Sequence, residues 1–525
     1  METLELLIGL LAAVAVVVRL AGRTTVPEPV LLVLAGLAVA LIPGLPRVEL
    51  DPELTLALFL PPLLYWAALH VDLRDLRADL GPISLLAVGL VLVTTAAVAV
   101  LAHSVLGLPW AVAVVLGAVV SPPDPVAAVA VAGRLGLPRR MVTILEGEGL
   151  LDDATALVVY RLAVATAVSG SFSIGEAAGE LAVSAVGGTA VGLAVGWVGS
   201  RVLRRVSEAP IENTVKLLLP YVAWLAAERV HASGVLAVLA CGVVMARHWS
   251  AISSGARIQA RQLWDWLVFV LEGLSFVLIG VQLRPVIEGI EGRSPADLAL
   301  AVLALNLVVI AVRLALVYPA SWLPRLLPRV RERDPFPGWP VVTVIGWAGM
   351  RGVVTLALAL AIPTQVAGGA PFPDRNLVVF LSFSVIVVTL VGQGLTLPWV
   401  IRRLGVAGDD EGPAGDARRA LARLSEVALD HLDALDPEAD GVPAELVERL
   451  RERYRARLAH LGAQDGDDQP GLTRAYAELV HDLLGVQREE LRRLREQGGV
   501  TPEVARRLDH DLDVEEARLE RERPG

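Results

Sequence analysis

Four carboxylates lie within a short segment that is otherwise apolar enough to cross a membrane. They are Glu146, Glu148, Asp152 and Asp153, and no further charge follows before Tyr160. An ionisable side chain at bilayer depth is costly, and such groups mark ion and proton pathways. The segment therefore predicts an ion-handling site inside a membrane.

The spacing of these acids decides which of them can act together. Glu148 and Asp152 are four residues apart and share one helix face, whereas Asp153 is turned by about 100° from Asp152. Glu146 and Asp153 are seven apart and lie nearly in line. Neighbouring carboxylates in a poorly solvated site cannot both ionise cheaply. Such a site can hold a proton or a cation by turns, which is the basis of cation/proton exchange.

A second chemical feature lies about twenty residues upstream, where the sequence SPPDP at 121–125 interrupts another apolar segment. Proline removes a backbone donor, and the residue before it disfavours the helical conformation. Asp124, within this interruption, has two readings. It neutralises exposed helix ends where two unwound segments cross, or it is a direct ligand of the ion.

Arg351, between Gly349 and Gly352, is a membrane-depth cation that needs a partner. We expect Glu148 to be that partner, because an unpaired member of a buried pair is very costly. The pair would be structural, or it would take part in transport. Arg313 and Gln393 are also embedded polar groups, and for these we expect hydrogen bonds between helices rather than ion contact.

Composition separates the chain into a membrane part and a solvated part. Of its 525 residues 54% are hydrophobic, and residues 405–525 carry 29 of the 56 acidic but only 18 of the 46 basic residues. We therefore predict two domains, a transmembrane domain at 1–404 and an acidic helical cytoplasmic domain at 405–525. The tail is expected to form helices at 417–435, 444–461, 472–496 and 502–522, after a linker at 408–413. It is either a solvated bundle or a regulatory domain.

A membrane span needs about 20 apolar residues, and by that measure the first domain contains thirteen candidates. They lie near 4–22, 26–44, 51–71, 80–103, 109–133, 141–169, 174–203, 214–231, 233–248, 262–283, 297–324, 340–363 and 376–401. The connections between spans on one side of the membrane carry 20 basic residues, and those on the other side carry 5. The positive-inside rule then places the N-terminus outside and the tail in the cytoplasm.

Prolines or glycines interrupt the third, fifth and twelfth spans, at Pro61-Pro62, at 121–125 and at Gly346, Gly349 and Gly352. Unwound backbone at membrane depth survives only where protein or a water-filled cavity covers it. The fifth and twelfth spans lie seven apart, and interrupted segments at matching positions in two halves point to a transporter's binding site. We predict an all-α polytopic membrane protein with inverted repeats and two crossed, unwound helices.

Several segments, taken in order along the chain, resemble monovalent cation/proton antiporter family one. Its members are bacterial sodium/proton exchangers related to animal ones. The segments are 58–69 (LFLPPLLYWAAL), 121–126 (SPPDPV), 146–160 (EGEGLLDDATALVVY), 231–238 (HASGVLAV), 276–282 (FVLIGVQ) and 346–358 (GWAGMRGVVTLAL). Residues 487–519 of the tail also resemble the bacterial branch.

The resemblance implies a thirteen-span inverted-repeat fold and a homodimer. It places the ion-binding aspartate at Asp153 and the crossover aspartate at Asp124. The family's backbone carbonyl that directly precedes the crossover aspartate would be that of Pro123. The family's glutamate–arginine pair would be Glu148 and Arg351.

The sequence departs from the family pattern at four positions. Asp152 stands where asparagine is common, and a second acid resembles electrogenic relatives that move more than one proton per ion. Gly149 stands in place of a serine ligand, Pro123 in place of a threonine, and Trp66 where many members carry glutamate. The expected cation ligands are thus Asp153, Asp152, Pro123 and the backbone at Gly149.

No HExxH, GxSxG or P-loop pattern is present in the sequence, so we expect a transporter driven by a gradient rather than an enzyme. The predicted function is antiport of Na⁺, or else Li⁺ or K⁺, against H⁺ across the bacterial plasma membrane. It would contribute to pH and sodium homeostasis without a cofactor and without a nucleic-acid partner. The alternatives are potassium/proton exchange and a membrane ion or pH sensor that signals through the tail.

Overall fold

The computed structural model describes residues 2–24, 26–42, 52–70, 73–124, 128–129, 137–169, 174–206, 208–248, 254–290, 294–326, 336–406, 412–435 and 443–463, with scattered positions between 483 and 512. Its Cα positions form two compact units, Met1–Asp409 and Asp410–Gly525.

The first unit is a succession of helices joined by short connections. Their bounds are α1 Glu2–Ala21, α2 Glu28–Ala40, α3 Pro52–His70, α4 Leu73–Leu106, α5 Trp110–Val120, α6 Arg139–Ser169, α7 Ile174–Leu203, α8 Ala209–Arg229, α9 Gly234–His248, α10 Ser254–Val281, α11 Leu283–Glu288, α12 Pro295–Trp322, α13 Trp339–Trp347, α14 Val353–Leu360, α15 Arg375–Val387 and α16 Gly394–Leu404. A 3₁₀ turn, Leu323–Leu326, follows α12, and a π-helical turn, Val388–Gln393, joins α15 to α16.

Helices lie at all thirteen predicted spans, and α7 has the predicted bounds. Among the described residues five helical stretches are long and apolar enough to cross a membrane: Val88–Leu106, Ala182–Leu203, Gln259–Glu288, Pro295–Trp322 and Arg375–Leu404. Shorter apolar helices accompany them, and the number thirteen stays a prediction. The division between α8 and α9 rests on a tight turn in which His231 adopts a positive φ of 56°.

The predicted interruption at Pro61-Pro62 is wrong, because α3 continues through both prolines. Proline is tolerated inside membrane helices where neighbouring groups satisfy the freed backbone carbonyls. Both prolines are buried. The other two predicted interruptions do occur. Residues 121–124 after α5 and residues 348–352 between α13 and α14 are not helical.

Packing sorts the membrane helices into two groups. In the first, which we call the crossing bundle, α4 packs on α5, α6 and α12, and α12–α16 complete the group. In the second, the flanking bundle, α7 packs on α8 and α9, α9 packs on α3, and α2 packs on α1 and α10. Contacts between the bundles are made mainly by α3, α9 and α10 against α6 and α14. Both interruptions belong to the crossing bundle.

One close helix pairing in the flanking bundle depends on glycine. A Cβ at Gly36 of α2 would collide with the backbone of Val277 and Gly280 in α10, and a Cβ at Gly280 would collide with the backbone of α2. Small residues let membrane helices approach closely and gain van der Waals contact. The pairing of α2 with α10 therefore tolerates no side chain at either position.

The second unit contains two described helices, α17 Gly412–Ala434 and α18 Ala444–Ala463, which pack on each other. They match the first two predicted tail helices. Arg451 of α18 links the two by hydrogen bonds to the Asp433 carboxylate at 2.7 Å and the Leu432 carbonyl at 2.8 Å. The other two predicted tail helices and most of the predicted linker lie outside the described residues, although α17 already begins at Gly412.

Candidate functional site

Helix α6 carries the acidic segment and buries three of its four carboxylates. Glu148 is 1% exposed, Asp152 0% and Asp153 7%, whereas Glu146 is exposed. The helix runs unbroken from Arg139 to Ser169, so Glu148 and Asp152 share a face as the sequence predicts. The site is thus built on a rigid element, with the acids pointing into the protein.

The two helix interruptions meet through Asp124. The Asp124 backbone N–H donates to the Met350 carbonyl at 2.6 Å, and the Val353 N–H donates to the Asp124 Oδ2 at 3.3 Å. Val353 begins α14, so the carboxylate lies at a helix N-terminus, where negative charge is favourable. A Cβ at Gly352 would run into this carboxylate. These contacts fit the reading in which Asp124 neutralises a helix end, and a direct ion contact stays a prediction.

Arg351 of the second interruption also bonds to the first one. Its guanidinium is fully buried and donates to the carbonyls of Val120 at 3.0 Å, Ser121 at 3.3 Å and Gly349. Val120 is the last residue of α5, whose final carbonyls have no intrahelical donor. A cation at a helix C-terminus also interacts favourably with the helix dipole. Arg351 therefore caps the helix that the first interruption ends.

The predicted pair between Glu148 and Arg351 is wrong, because Glu148 pairs with Arg313 of α12. Arg313 donates Nη1 to Glu148 Oε1 at 2.7 Å and Nη2 to Oε2 at 3.1 Å, and both side chains are 1% exposed. Arg313 also donates to the Ile345 carbonyl at 3.3 Å, and its side chain packs against the α-carbon of Gly349. Arg351 is instead bound by backbone carbonyls. The signal for Arg313 was its position as the single charged residue of 298–322.

Asp152 and Asp153 differ from Glu148 in their bonding. Among the described residues, neither carboxylate oxygen of Asp152 has a hydrogen-bond partner, and neither does Asp153 Oδ1. The charged neighbours of Asp152 include Glu148, Arg313 and Asp153, and those of Asp153 include Asp124. A buried oxygen without a partner is costly unless something else satisfies it. Both aspartates therefore have free capacity to accept a proton or to ligate a cation.

The structure also places the remaining predicted cation ligands and the positions at which the sequence departs from the family pattern. Pro123 is buried within the first interruption, next to Asp124, and Gly149 is buried one turn before Asp153 on α6. Their roles as cation ligands stay predictions. Trp66 of α3 is half-buried and stacks on Trp264 of α10, with ring centroids 5.6 Å apart.

Gln393, predicted to hydrogen-bond between helices, has no partner for either amide atom within the described part of the chain. It is 2% exposed. Arg161 of α6 donates to Glu228 of α8 at 2.5 Å. It thereby joins α6 of the crossing bundle to the flanking bundle.

Long apolar helices, a buried acid cluster and two discontinuous helices in contact define a polytopic α-helical membrane protein. A family model described as the transmembrane sodium/hydrogen exchanger matches residues 9–403. The chain belongs to the sodium/hydrogen exchanger family, as its motifs predicted.

The similar proteins agree with this membership. The chain is 38% identical over 526 residues to an uncharacterised Na⁺/H⁺ exchanger of Mycobacterium tuberculosis (strain ATCC 25618 / H37Rv), covering 98% of this chain and 96% of that protein. It is 32% identical to a sodium, potassium, lithium and rubidium/H⁺ antiporter of Bacillus pumilus, covering 93% of this chain and 74% of that protein.

Among solved structures, the sodium proton antiporter MjNhaP1 from Methanocaldococcus jannaschii matches with a TM-score of 0.59. The match covers 78% of this chain and all of that one, at 19% identity. It confirms the predicted all-helical antiporter fold. The inverted repeats stay a prediction.

Proposed function

We propose that this chain exchanges monovalent cations, with Na⁺ as the first candidate, for protons across the bacterial plasma membrane. In this proposal it works as a homodimer with its N-terminus outside and its tail in the cytoplasm, and it contributes to pH and sodium homeostasis. The membership of the family supports the reaction. The detailed mechanism rests on one observation, the buried Asp153, whose Oδ1 has no hydrogen-bond partner among the described residues.

The mechanism follows from what a desolvated carboxylate can hold. Asp153 lies near Asp124, so an unneutralised charge on both would be repulsive. Binding either a proton or a cation removes the charge on Asp153, and the two compete for the same oxygens. Alternate exposure of this group to the two sides of the membrane then couples cation movement to proton movement.

The test is cation-driven proton movement in everted vesicles with Asp153→Asn and Asp153→Ala. We expect both variants to lose exchange, because neither can alternate between a charged and a neutral form. Asp297→Ala is the matched control, since Asp297 is an exposed acid at the first turn of α12, and it should keep the parent activity. Parent-level exchange in Asp153→Ala would refute the assignment.

A second candidate is potassium/proton exchange. The printed name of the Bacillus pumilus relative includes potassium, lithium and rubidium, which supports testing a broader cation range here. Proteoliposomes given Na⁺, K⁺ or Li⁺ alone separate the candidates by which cation drives proton movement. The charge moved per cation in the same vesicles tests whether Asp152 carries a second proton. We expect Asp152→Asn to reduce this charge.

A further inference from the structure

The last membrane helix of the crossing bundle is not a continuous α-helix. After α15 ends at Val387, residues Val388–Gln393 form a π-helical turn, and α16 begins at Gly394. Single π turns inside α-helices are rare and frequently lie at functional sites. This turn lies against the second interruption, because the Met350 sulfur lies close to Gly394.

Thr389 lies in this turn and is fully buried. The Arg351 backbone N–H donates to Thr389 Oγ1 at 3.0 Å, and the hydroxyl itself donates to the Val385 carbonyl at 2.7 Å. A hydroxyl has one proton to donate and two lone pairs. Its proton is taken by Val385 of its own helix, so its lone pair is directed to Arg351.

This bond satisfies a backbone group that the interruption leaves without a helical partner. Residues 348–352 are not helical, and a buried N–H without an acceptor would cost free energy. The carbonyl of Met350, on one side of Arg351, accepts from Asp124, and the N–H of Val353, on the other side, donates to Asp124. The Thr389 hydroxyl therefore bonds to Arg351, which lies in the sequence between Met350 and Val353, the two residues whose backbones bond to Asp124.

Thr389 is also linked to the first interruption, through Arg351. Arg351, whose backbone Thr389 holds, binds the carbonyls of Val120 and Ser121 through its guanidinium. A shift of the Arg351 backbone would move both the cap of α5 and the bonds to Asp124. Asp124 in turn is a charged neighbour of Asp153.

We propose that Thr389 is a positioning residue for the exchange reaction, whose hydroxyl fixes the Arg351 backbone and thereby the position of Asp124 relative to Asp153. This inference rests on the proposed function. Thr389 does not touch the ion. It sets the geometry in which the ion binds, so its loss weakens cation binding more than it slows turnover.

The test compares Thr389→Val with Thr389→Ser in proteoliposomes containing equal amounts of folded protein. Valine keeps the shape and removes the acceptor, whereas serine keeps the hydroxyl. We expect the valine variant to raise the half-saturating cation concentration about tenfold, the size that follows from leaving one buried donor unsatisfied. The serine variant should stay near the parent, and maximal exchange should change less than the half-saturating concentration in both.

Ser382→Ala is the matched control. Ser382 is fully buried on α15, and within the described part of the chain its hydroxyl bonds only to the Val378 carbonyl of its own helix. This variant should keep the parent half-saturating concentration. An equal shift in Ser382→Ala and Thr389→Val would overturn the inference, because it would show a general effect of losing a buried hydroxyl.

Two other outcomes separate this inference from the proposed function. A valine variant with parent-like cation dependence, in a parent protein that exchanges ions, overturns the role of Thr389 alone. A parent protein that moves protons with none of Na⁺, K⁺ or Li⁺, or that keeps its activity in Asp153→Asn, overturns the proposed function instead.

Discussion

Helix α6 makes two ion pairs of opposite character. In its first half, Glu148 binds Arg313 through two parallel hydrogen bonds, and both side chains are 1% exposed. Thirteen residues later, or about 20 Å along the axis, Arg161 binds Glu228 through one contact at 2.5 Å, with side chains 38% and 36% exposed. The first pair lies within the crossing bundle, and the second connects it to the flanking bundle.

The difference lies in what each pair loses when it opens. A buried pair that loses one member leaves an uncompensated charge in a medium of low dielectric. A pair in contact with water exchanges its partner for solvent at little cost. Opening the first pair is therefore costly, whereas opening the second costs little.

The largest effect is expected from Arg313→Met. The variant leaves Glu148 buried without its partner, and we expect a loss of about 3–5 kcal/mol in the free energy of unfolding. The measurement is denaturant unfolding of the purified protein in detergent. Arg161→Met makes the same chemical change in the exposed pair and should cost less than about 1 kcal/mol. Similar losses in the two variants would contradict the comparison.

A double variant sharpens this result. Replacing Glu148 with Leu in the Arg313→Met background removes the unpaired charge and leaves apolar side chains. Such replacements of buried pairs are often neutral for stability. We therefore expect the double variant to recover most of the stability, while it loses the charge that the site holds near Asp152.

An intermediate effect is expected from Gly349→Ala. The added methyl group would collide with the Arg313 side chain, so the guanidinium must shift away from Glu148. Overpacking of this kind costs about 1–3 kcal/mol, measured by the same unfolding titration. Gly89→Ala in α4 is the control, because no described atom outside the adjacent turns of its own helix lies within 4 Å of the added carbon. It should stabilise the helix by about 0.5–1 kcal/mol, so losses of equal size would count against the proposed contact.

The smallest effect is expected from Glu228→Gln. Removing one charge of the exposed pair should change the unfolding free energy by less than about 1 kcal/mol, and the change should shrink as ionic strength rises. Choline chloride should supply the ionic strength, because Na⁺ and K⁺ are candidate substrates. A loss that is large and independent of salt would show that this pair is as firmly held as the buried one.

The positions of the helices could be predicted from the sequence, because every backbone group in a bilayer must be satisfied within a helix. The predicted bounds of α7 match the structure, and two of three predicted interruptions occur. The partner of Glu148 could not be predicted. Hydropathy gives the depth of a residue in the membrane but not the direction of its side chain. Arg313 and Arg351 were both buried cations, and only packing assigns one to Glu148 and the other to α5.

Asp124 is bonded to the chain on both sides of Arg351, to Met350 and to Val353. The two interrupted helices are thus joined by these bonds and by the bonds from the Arg351 guanidinium to the carbonyls of Val120 and Ser121, and they cannot slide past each other without breaking both sets. Any tilt of α14 must carry Asp124, and the chain before it, along as one piece. The crossing therefore ties the position of one interrupted helix to that of the other.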